Sequence, residues 1–284
     1  MTRDFRTISP SALSVILMKG HTALPYAREV AQLLSSPETF EPEVSHQDFL
    51  FWSKVFHFES RYLGINQLLD GIAVNSFLEL SSGFNLRCLE ISGKTGKVYF
   101  DTDLPDLIEQ KVQVVEALRG TGDPSLVRLM PLNALDRGQF EQTVSEMPPG
   151  PVAIINEGLL VYFDKREKET LCAIIRDTLA ARGGYWITSD IYVRAPAMAS
   201  PITQDQATKS FSERHHIDEN KFSSFEEARQ FFETNGFAID GEDRIDYSRV
   251  SSFEHLARTS PKPLAAGGRS SERFQRTWRL RVAT

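Results

Sequence analysis

The residues FLELSSGFNLR, which span Phe77–Arg87, decide the fold. Their apolar run ends at Ser81-Ser82-Gly83, and a second apolar run, in VYFDTDLP, ends at Asp103. This order predicts a strand, a tight turn, a helix and a second strand with a carboxylate at its tip. Gly83 precedes Asp103 by 20 residues, which is close to the spacing in nucleotide-binding βαβ units. A carboxylate placed there can accept the paired hydroxyls of an adenosine ribose.

Short apolar runs alternate with helical patterns about five times from Asn75 onward. The predicted strands are Ser76–Leu80, Lys97–Thr102, Leu126–Pro131, Val152–Asn156 and Gly184–Ile191, then one starting at Phe237–Asp240 and a last one in Arg273–Val282. The helices predicted between the first five are Asn85–Ile91, Asp106–Leu118, Gly138–Glu146 and Lys165–Ala181. The pattern indicates an α/β fold, a Rossmann-like, mainly parallel seven-stranded sheet with helices on both faces.

Two segments differ from this alternation. Residues 1–70 are predicted to form an N-terminal helical cap, with helices at Ser11–Lys19, Tyr26–Leu34 and His46–Leu69, because apolar positions recur there at helical spacing. Residues 71–284 then form the main domain. A polar, Pro-containing stretch at about 192–222 interrupts that domain and is interpreted as an inserted lid.

Composition excludes several classes of partner. The 284-residue chain has a net charge of −6, whereas nucleic-acid binding favours a basic surface. No apolar run approaches the roughly 20 residues that span a bilayer, and Ala12–Met18 leads into no small-residue cleavage site. Cys88 and Cys172 share no metal-like spacing. We therefore expect a cytoplasmic protein with buried thiols, no metal, and no nucleic-acid or membrane partner. Its oligomeric state is left open.

The turn at Ser81–Gly83 separates two classes of ligand. A dinucleotide pyrophosphate usually requires Gly-x-Gly-x-x-Gly, but the three positions here are Ser81, Gly83 and Leu86. This disfavours an NAD-dependent oxidoreductase, whereas a nucleoside ligand without phosphates would tolerate the change. A plain βα turn stays open as an alternative, and so does a helix N-cap role for Asp103.

A third stretch, IINEGLLVYFD at residues 154–164, continues from the predicted end of a strand at Asn156. Ligands of open α/β sheets bind beside the carboxyl ends of the strands. Glu157 is therefore expected to face the ammonium group or cationic centre of a ligand. The apolar residues that follow are expected to pack, and Tyr162 is compatible with either role.

These three stretches resemble the leucine carboxyl methyltransferase family, which includes protein-phosphatase carboxyl methyltransferases and tetracenomycin-type polyketide O-methyltransferases. The resemblance lies in FLELSSGFNLR, VYFDTDLPDLIEQK and NEGLLVYFD, and its order and spacing extend over about residues 60–190. It implies a class I methyltransferase that uses S-adenosylmethionine as cofactor. The lid and the C-terminal third are not covered, so the acceptor is not implied.

The resemblance also implies a set of cofactor-binding residues. By position these are Arg61, Ser81, Gly83, Asp103, Asn133, Ala134 and Glu157. Gly83 would meet the methionyl part and Asp103 the ribose, while Asn133-Ala134 match an adenine-proximal Asp-Leu pair. Glu157 matches a glutamate on the cofactor side, and Arg61 an arginine that contacts the cofactor carboxylate. Ser81 stands where the family has a glycine, and Asn133 where it has an aspartate.

The function expected is methyl transfer to a carboxylate or hydroxyl of a small molecule. The alternatives are methylation of a protein C-terminal carboxylate and cofactor binding without catalysis. A carboxylate acceptor is ionised at neutral pH and needs no base, whereas a phenol or alcohol would benefit from one. His215 and His216 are the candidate bases, with Tyr162 as a further catalytic candidate. A solvated loop pair is the other interpretation of the two histidines.

Overall fold

The computed structural model describes residues 9–35, 48–194, 206–261 and 273–283. Within them, seven strands form one sheet. The strands are β1 (Ser76–Leu80), β2 (Val98–Asp103), β3 (Val127–Pro131), β4 (Val152–Asn156), β5 (Gly184–Tyr192), β6 (Phe237–Glu242) and β7 (Gln275–Val282). The helices are α1 (Ser9–Lys19), α2 (Ala27–Leu34), α3 (Phe49–Leu69), α4 (Arg87–Thr95), α5 (Pro105–Leu118), α6 (Arg137–Ser145), α7 (Lys165–Arg182), α8 (Gln206–Arg214), α9 (Ile217–Asn220), α10 (Phe225–Thr234) and α11 (Phe253–Thr259).

The sheet has the strand order β3-β2-β1-β4-β5-β7-β6. β1 pairs in parallel with both β2 and β4, while β7 runs antiparallel to β5 and to β6. The chain therefore builds the sheet outward in one direction from β1 to β3 and in the other direction from β4. A crevice opens outside the carboxyl ends of the strands at such a switch point. The Rossmann-like, mainly parallel seven-stranded sheet is thus confirmed.

The sheet is covered on both faces because successive side chains of a strand point to opposite sides. Leu78 and Phe100 belong to one core, which also contains residues of α6, α7 and α10. Phe77 and Tyr99, their neighbours in the chain, belong to the second core, which contains residues of α1–α5. Glu79, Asp101 and Asp103 share the face of Phe77 and Tyr99 by the same alternation. Three acidic side chains therefore point into the space beneath α1–α5.

The predicted elements agree with the structure apart from their ends. The largest shift is at α4, which runs from Arg87 to Thr95 where Asn85–Ile91 is predicted. Leu86 has φ −110° and ψ 37°, outside the helical region, so the helix cannot begin earlier. Gly96 ends the helix in the left-handed conformation that glycine adopts without steric cost.

The N-terminal helices pack directly on the sheet. Ile16 of α1, Val30 of α2 and Ile65 of α3 lie in the same core as Ile155 and Ile187 of the central strands. That residues 1–70 form a distinct cap, separate from 71–284, stays a prediction. The proposed lid at about 192–222 contains α8 and α9. Residues 195–205 of it, and His46 of the predicted third helix, lie outside the described residues.

The structure also bears on the expectations about the cysteines and about membrane spans. Cys88 and Cys172 are both buried and free, as predicted. Over the described ranges, no helix combines the length and the apolar character needed to cross a membrane.

Candidate active site

A cavity of about 490 Å³ opens beside the carboxyl ends of β1–β4, between the sheet and the helices α1 and α3. Its volume lies within the range of about 300–1,000 Å³ that is usual for small-molecule sites. The wall includes every residue that the sequence assigns to the cofactor, namely Arg61, Ser81, Gly83, Asp103, Asn133, Ala134 and Glu157. The structure therefore brings together residues that lie up to 96 positions apart in the chain.

The turn after β1 has the backbone course of a glycine turn, although Ser81 stands where the resembling family has a glycine. Ser81 has φ 50° and Gly83 has φ 55°, both in the left-handed region. A glycine adopts this conformation freely, whereas Ser81 holds it at a cost of about 1 kcal/mol. The backbone therefore follows the course expected of a glycine at position 81. A Cβ added to Gly83 would lie 3.5 Å from Cβ of Ala12, because α1 covers the turn from above.

Asp103 joins this turn to the end of β2. Its Oδ2 accepts the backbone N–H of Gly83 at 2.8 Å, and its Oδ1 accepts the backbone N–H of Leu104 at 2.7 Å. Each oxygen keeps a further lone pair for a ligand. Burial raises the pKa of the Asp103 carboxyl, while the Gly83 and Leu104 amides act in the opposite direction. Asp103 does not cap α5 in the usual way, since Leu104 is the N-cap residue and makes no side-chain cap bond.

The neighbouring part of the wall is apolar and is formed by the start of α5 and the segment after β3. Leu104, Leu107, Leu132 and Ala134 line it. Asn133 fixes the loop here, because its Oδ1 accepts the backbone N–H of Leu135 at 3.1 Å. The resembling family has an aspartate at this position. An asparagine also carries an Oδ1 acceptor, so this hydrogen bond does not need a carboxylate.

Glu157, just after β4, lies at the centre of a buried cluster of charges. Its Oε1 accepts hydrogen bonds from Lys19 Nζ at 2.6 Å and from Arg61 Nη2 at 3.2 Å. Its Oε2 accepts a hydrogen bond from Arg87 Nη2 at 3.0 Å, and Arg87 also pairs with Glu79. Three cations thus contact two carboxylates directly. Among the described residues, one positive charge of this cluster therefore has no contacting anion.

The cluster sets the pKa values of its members. Burial alone would raise the pKa of Glu157, but Lys19, Arg61 and Arg87 outweigh it and hold that pKa well below its usual range. Burial lowers the pKa of Lys19 to about 8, with Glu157 acting in the opposite direction. At neutral pH the glutamate is therefore ionised and the lysine is largely protonated.

Arg61 is held on two sides. Its Nη1 donates to the hydroxyl of Tyr192 at 2.9 Å, and its Nη2 donates to Glu157. The buried Nε has no hydrogen-bond partner among the described residues. Gly158 leaves room for the guanidinium, since a Cβ at this position, where φ is +81°, would lie 3.1 Å from Nη2. The guanidinium therefore retains a buried donor beside the cavity.

Several residues of the site were not found from the sequence. Lys19 reaches Glu157 from the end of α1, and His57 Nε2 lies 2.7 Å from the hydroxyl of Tyr192. Asp190 on β5 accepts the backbone N–H groups of residues 158–160 and so fixes the segment after Glu157. The sequence offered only weak signals for these residues. Lys19 ends an apolar helix, and Asp190 lies near the end of a strand.

The predicted catalytic candidates lie at different depths. Tyr162 lines the cavity and donates to Ser11 Oγ at 3.3 Å, and burial raises its pKa, so it is protonated at neutral pH. His215 is buried behind the wall, with its ring 6.1 Å from that of Tyr162 and 4.5 Å from that of Phe211. His216 is exposed and contacts Glu219. Neither histidine lines the cavity, and a catalytic role for any of the three stays a prediction.

No family model and no curated protein matches the chain. Among solved structures, the chain is similar to TnmH, with a TM-score of 0.50 and 10% identity over 82% of this chain and 57% of that one. It is also similar to an O-methyltransferase family protein from Burkholderia thailandensis, with a TM-score of 0.48 and 13% identity over 99% of this chain and 70% of that one.

A third similar structure is LepI in complex with SAM, with a TM-score of 0.46 and 11% identity. The match covers 77% of this chain but only 46% of LepI, so the chain spans less than half the length of that protein. At these identities the likeness concerns the fold alone. The fold is a Rossmann-like α/β fold with a mainly parallel seven-stranded sheet.

Proposed function

We propose that this chain is an S-adenosylmethionine-dependent O-methyltransferase that methylates a carboxylate or hydroxyl group of a small molecule. One observation carries the proposal: a single cavity collects a left-handed glycine turn, the Asp103 carboxylate, an apolar wall, and Arg61 and Glu157 of the buried charge cluster. These are the surfaces that the methionyl, ribose, adenine and carboxylate parts of the cofactor require.

The adenosine part fits the end of the cavity at β2 and β3. Asp103 has its oxygens oriented by two backbone N–H groups and keeps lone pairs for the two ribose hydroxyls. Leu132 and Ala134 supply an apolar surface for the adenine ring, and Leu107 of α5 adds to it. The turn at Gly83 brings backbone rather than side chain close to the ligand, as the methionyl part requires.

The carboxylate of the cofactor fits the end of the cavity at β4. Among the described residues, Glu157 and Glu79 are the only carboxylates that contact Lys19, Arg61 and Arg87, so a ligand anion would complete the charge balance. Burying an unmatched charge is costly, and an anion in this position removes the cost. Arg61 Nε is a donor that such an anion could engage. That Glu157 itself meets the cofactor's ammonium group stays a prediction, because three cations already contact its two oxygens.

The chemistry needs little from the chain beyond positioning. S-adenosylmethionine, when bound, supplies a methyl group that the sulfonium has already activated for displacement. The residues of the chain orient the acceptor and exclude water. Val15 and Met18 of α1, Phe58 of α3 and Phe211 of α8 form apolar walls suited to this task. Such a surface favours a small apolar acceptor over the flexible end of a protein.

The finer assignment is to proteins like the leucine carboxyl methyltransferases and the tetracenomycin-type O-methyltransferases. It is supported by the convergence on one cavity of the residues that this resemblance singled out.

Calorimetric titration tests the proposal. We expect the chain to bind S-adenosylmethionine and S-adenosylhomocysteine and not NAD. Transfer of a labelled methyl group should then be measured with a panel of apolar carboxylic acids and phenols, and with a peptide that ends in leucine. Binding without transfer to any acceptor would favour a non-catalytic cofactor-binding protein. Transfer to the peptide alone would favour a protein carboxyl methyltransferase. Failure to bind either cofactor form would refute the proposal.

A further inference from the structure

A buried ion pair lies directly beneath the turn that lines the cavity. Lys111 of α5 and Asp101 of β2 are both fully buried, and Lys111 Nζ contacts the two carboxylate oxygens of Asp101 at 2.7 Å each. The side chain of Ser82, in the middle of the turn, completes the group. Its hydroxyl donates to Asp101 Oδ1 and accepts from Lys111 Nζ at 2.9 Å.

This group fixes the turn through Ser82, which lines the cavity, whereas Asp101 and Lys111 do not line it. Ser82 is 3% exposed, and its backbone N–H donates to the carbonyl of Thr102 at 3.0 Å. The next residue, Gly83, donates to Asp103. Asp101 and Asp103 lie two positions apart on one face of β2, so they hold consecutive residues of the turn, Asp101 from below and Asp103 at the cavity.

The turn needs such an anchor because its backbone is unfavourable without one. Ser81 and Gly83, on either side of Ser82, both have positive φ. A non-glycine residue keeps this conformation only where its surroundings impose it. The contacts of the Ser82 side chain with Asp101 and Lys111 supply such constraints, together with the backbone contacts of Ser82 and Gly83.

We infer that Ser82, Asp101 and Lys111 are positioning residues for the cofactor. They set the course of the turn and, through Gly83, the orientation of Asp103, without contacting the reacting atoms. Lys111 Nζ contacts both carboxylate oxygens of Asp101 directly, so the anchor does not depend on the charge of the ligand. This inference rests on the proposed function, since it assigns a purpose to the turn only if the cavity binds S-adenosylmethionine.

The test uses the full chain with S-adenosylhomocysteine as the probe. Lys111→Met leaves the Asp101 carboxylate buried and unpaired, so that variant has a high risk of not folding. Ser82→Ala is the informative change, because it leaves the ion pair intact and removes only its link to the turn. Ser76→Ala is the matched control, a buried serine at the other end of β1 whose hydroxyl has no hydrogen-bond partner among the described residues.

We expect Ser82→Ala to weaken binding of S-adenosylhomocysteine about tenfold, which corresponds to the loss of one hydrogen-bonding anchor. The amides of residues 81–84 should exchange with deuterium faster than in the unmodified chain and faster than in Ser76→Ala. Unchanged affinity in Ser82→Ala, or an equal loss in both variants, would overturn the inference and leave the proposed function intact. If the unmodified chain does not bind the probe, the proposed function fails and the inference with it.

Discussion

Gly83 donates its backbone N–H to Oδ2 of Asp103 at 2.8 Å, across 20 residues of intervening chain. The contact joins the turn after β1 to the tip of β2 and makes the two residues one wall of the cavity. It also shows why their spacing carries information. A helix has to leave the first strand and return beside it before the carboxylate can meet the turn.

Replacement of Asp103 should weaken cofactor binding. We expect Asp103→Asn to bind S-adenosylhomocysteine at least about tenfold more weakly, because a hydrogen bond to a charged group contributes about 1.5–3 kcal/mol. Asp103→Ala should lose more, since the anchor of Gly83 is removed as well. Calorimetry measures both. Asp106→Asn, an exposed carboxylate on the first turn of α5, is the control and should bind normally. Equal affinities in all three variants would exclude the ribose role.

Replacement of Gly83 should separate the effect of backbone strain on stability from the effect on cofactor binding. Gly83→Ala places a side chain at φ +55°, at a cost of about 1 kcal/mol or more, and adds a methyl group at the cavity wall. Gly71→Ala introduces a comparable strain at φ +73°, but no other group lies within 4 Å. We expect similar losses of thermal stability in the two variants and a loss of S-adenosylhomocysteine affinity in Gly83→Ala only. A parallel loss of affinity in Gly71→Ala would show that the effect is not local.

Neutralising Glu157 should destabilise the fold. Glu157→Gln leaves Lys19, Arg61 and Arg87 buried with Glu79 as the remaining contacting carboxylate. We expect the free energy of unfolding, measured in urea at pH 7, to fall by about 3–5 kcal/mol. Addition of Lys19→Met to this variant removes one of the unmatched charges and should restore part of the loss. The stability loss caused by Lys19→Met should be measured in the unmodified chain and in Glu157→Gln. If the loss is the same in both, charge imbalance is not the cause.

The pH dependence of cofactor binding should follow Lys19. Burial lowers its pKa to about 8 from an ordinary 10.5, so the lysine loses its charge as the pH rises through about 8. Affinity for S-adenosylhomocysteine should be full below that pH and decline above it, because the cluster loses the charge that attracts the carboxylate. The contribution of Lys19 to the free energy of unfolding should instead increase as the pH rises. Between about pH 8 and 10.5 the unfolded chain binds more protons at Lys19 than the folded chain, so this residue's contribution to stability rises with pH.

The control for this prediction is Lys19→Met. The variant keeps Arg61 and Arg87 with their two carboxylates and should show a weaker affinity that is flatter between pH 7 and 9.5. An identical decline in Lys19→Met would assign the pH dependence to another group.

The sequence predicted the sheet well because the central strands are buried on both faces and read as apolar runs. The residues that the family resemblance assigned to the cofactor include Ser81, Gly83, Asp103, Ala134 and Glu157. They line one cavity because each lies at or just after the end of a strand, at one edge of a parallel sheet. Their role in binding stays a prediction. Strand ends and chain order are local properties, so they can be read from the chain.

The charge cluster could not be predicted in this way. Lys19 lies at the end of α1 and Arg87 at the start of α4, and their contacts with Glu157 depend on how these two helices lie over the sheet. Burial of a lysine at the end of an apolar helix has no distinctive sequence pattern. The positive φ of Ser81 was also hidden, because serine seldom adopts it and only the anchored turn imposes it.

A crystal structure of the chain grown with S-adenosylhomocysteine tests the central claim most directly. We expect its density in the cavity at β1–β4, with the ribose hydroxyls within 3.2 Å of Asp103 Oδ1 or Oδ2. The carboxylate should lie beside Lys19 and Arg61. A cavity without ligand at saturating concentration, or a ligand whose ribose lies away from Asp103, would contradict the assignment of this site.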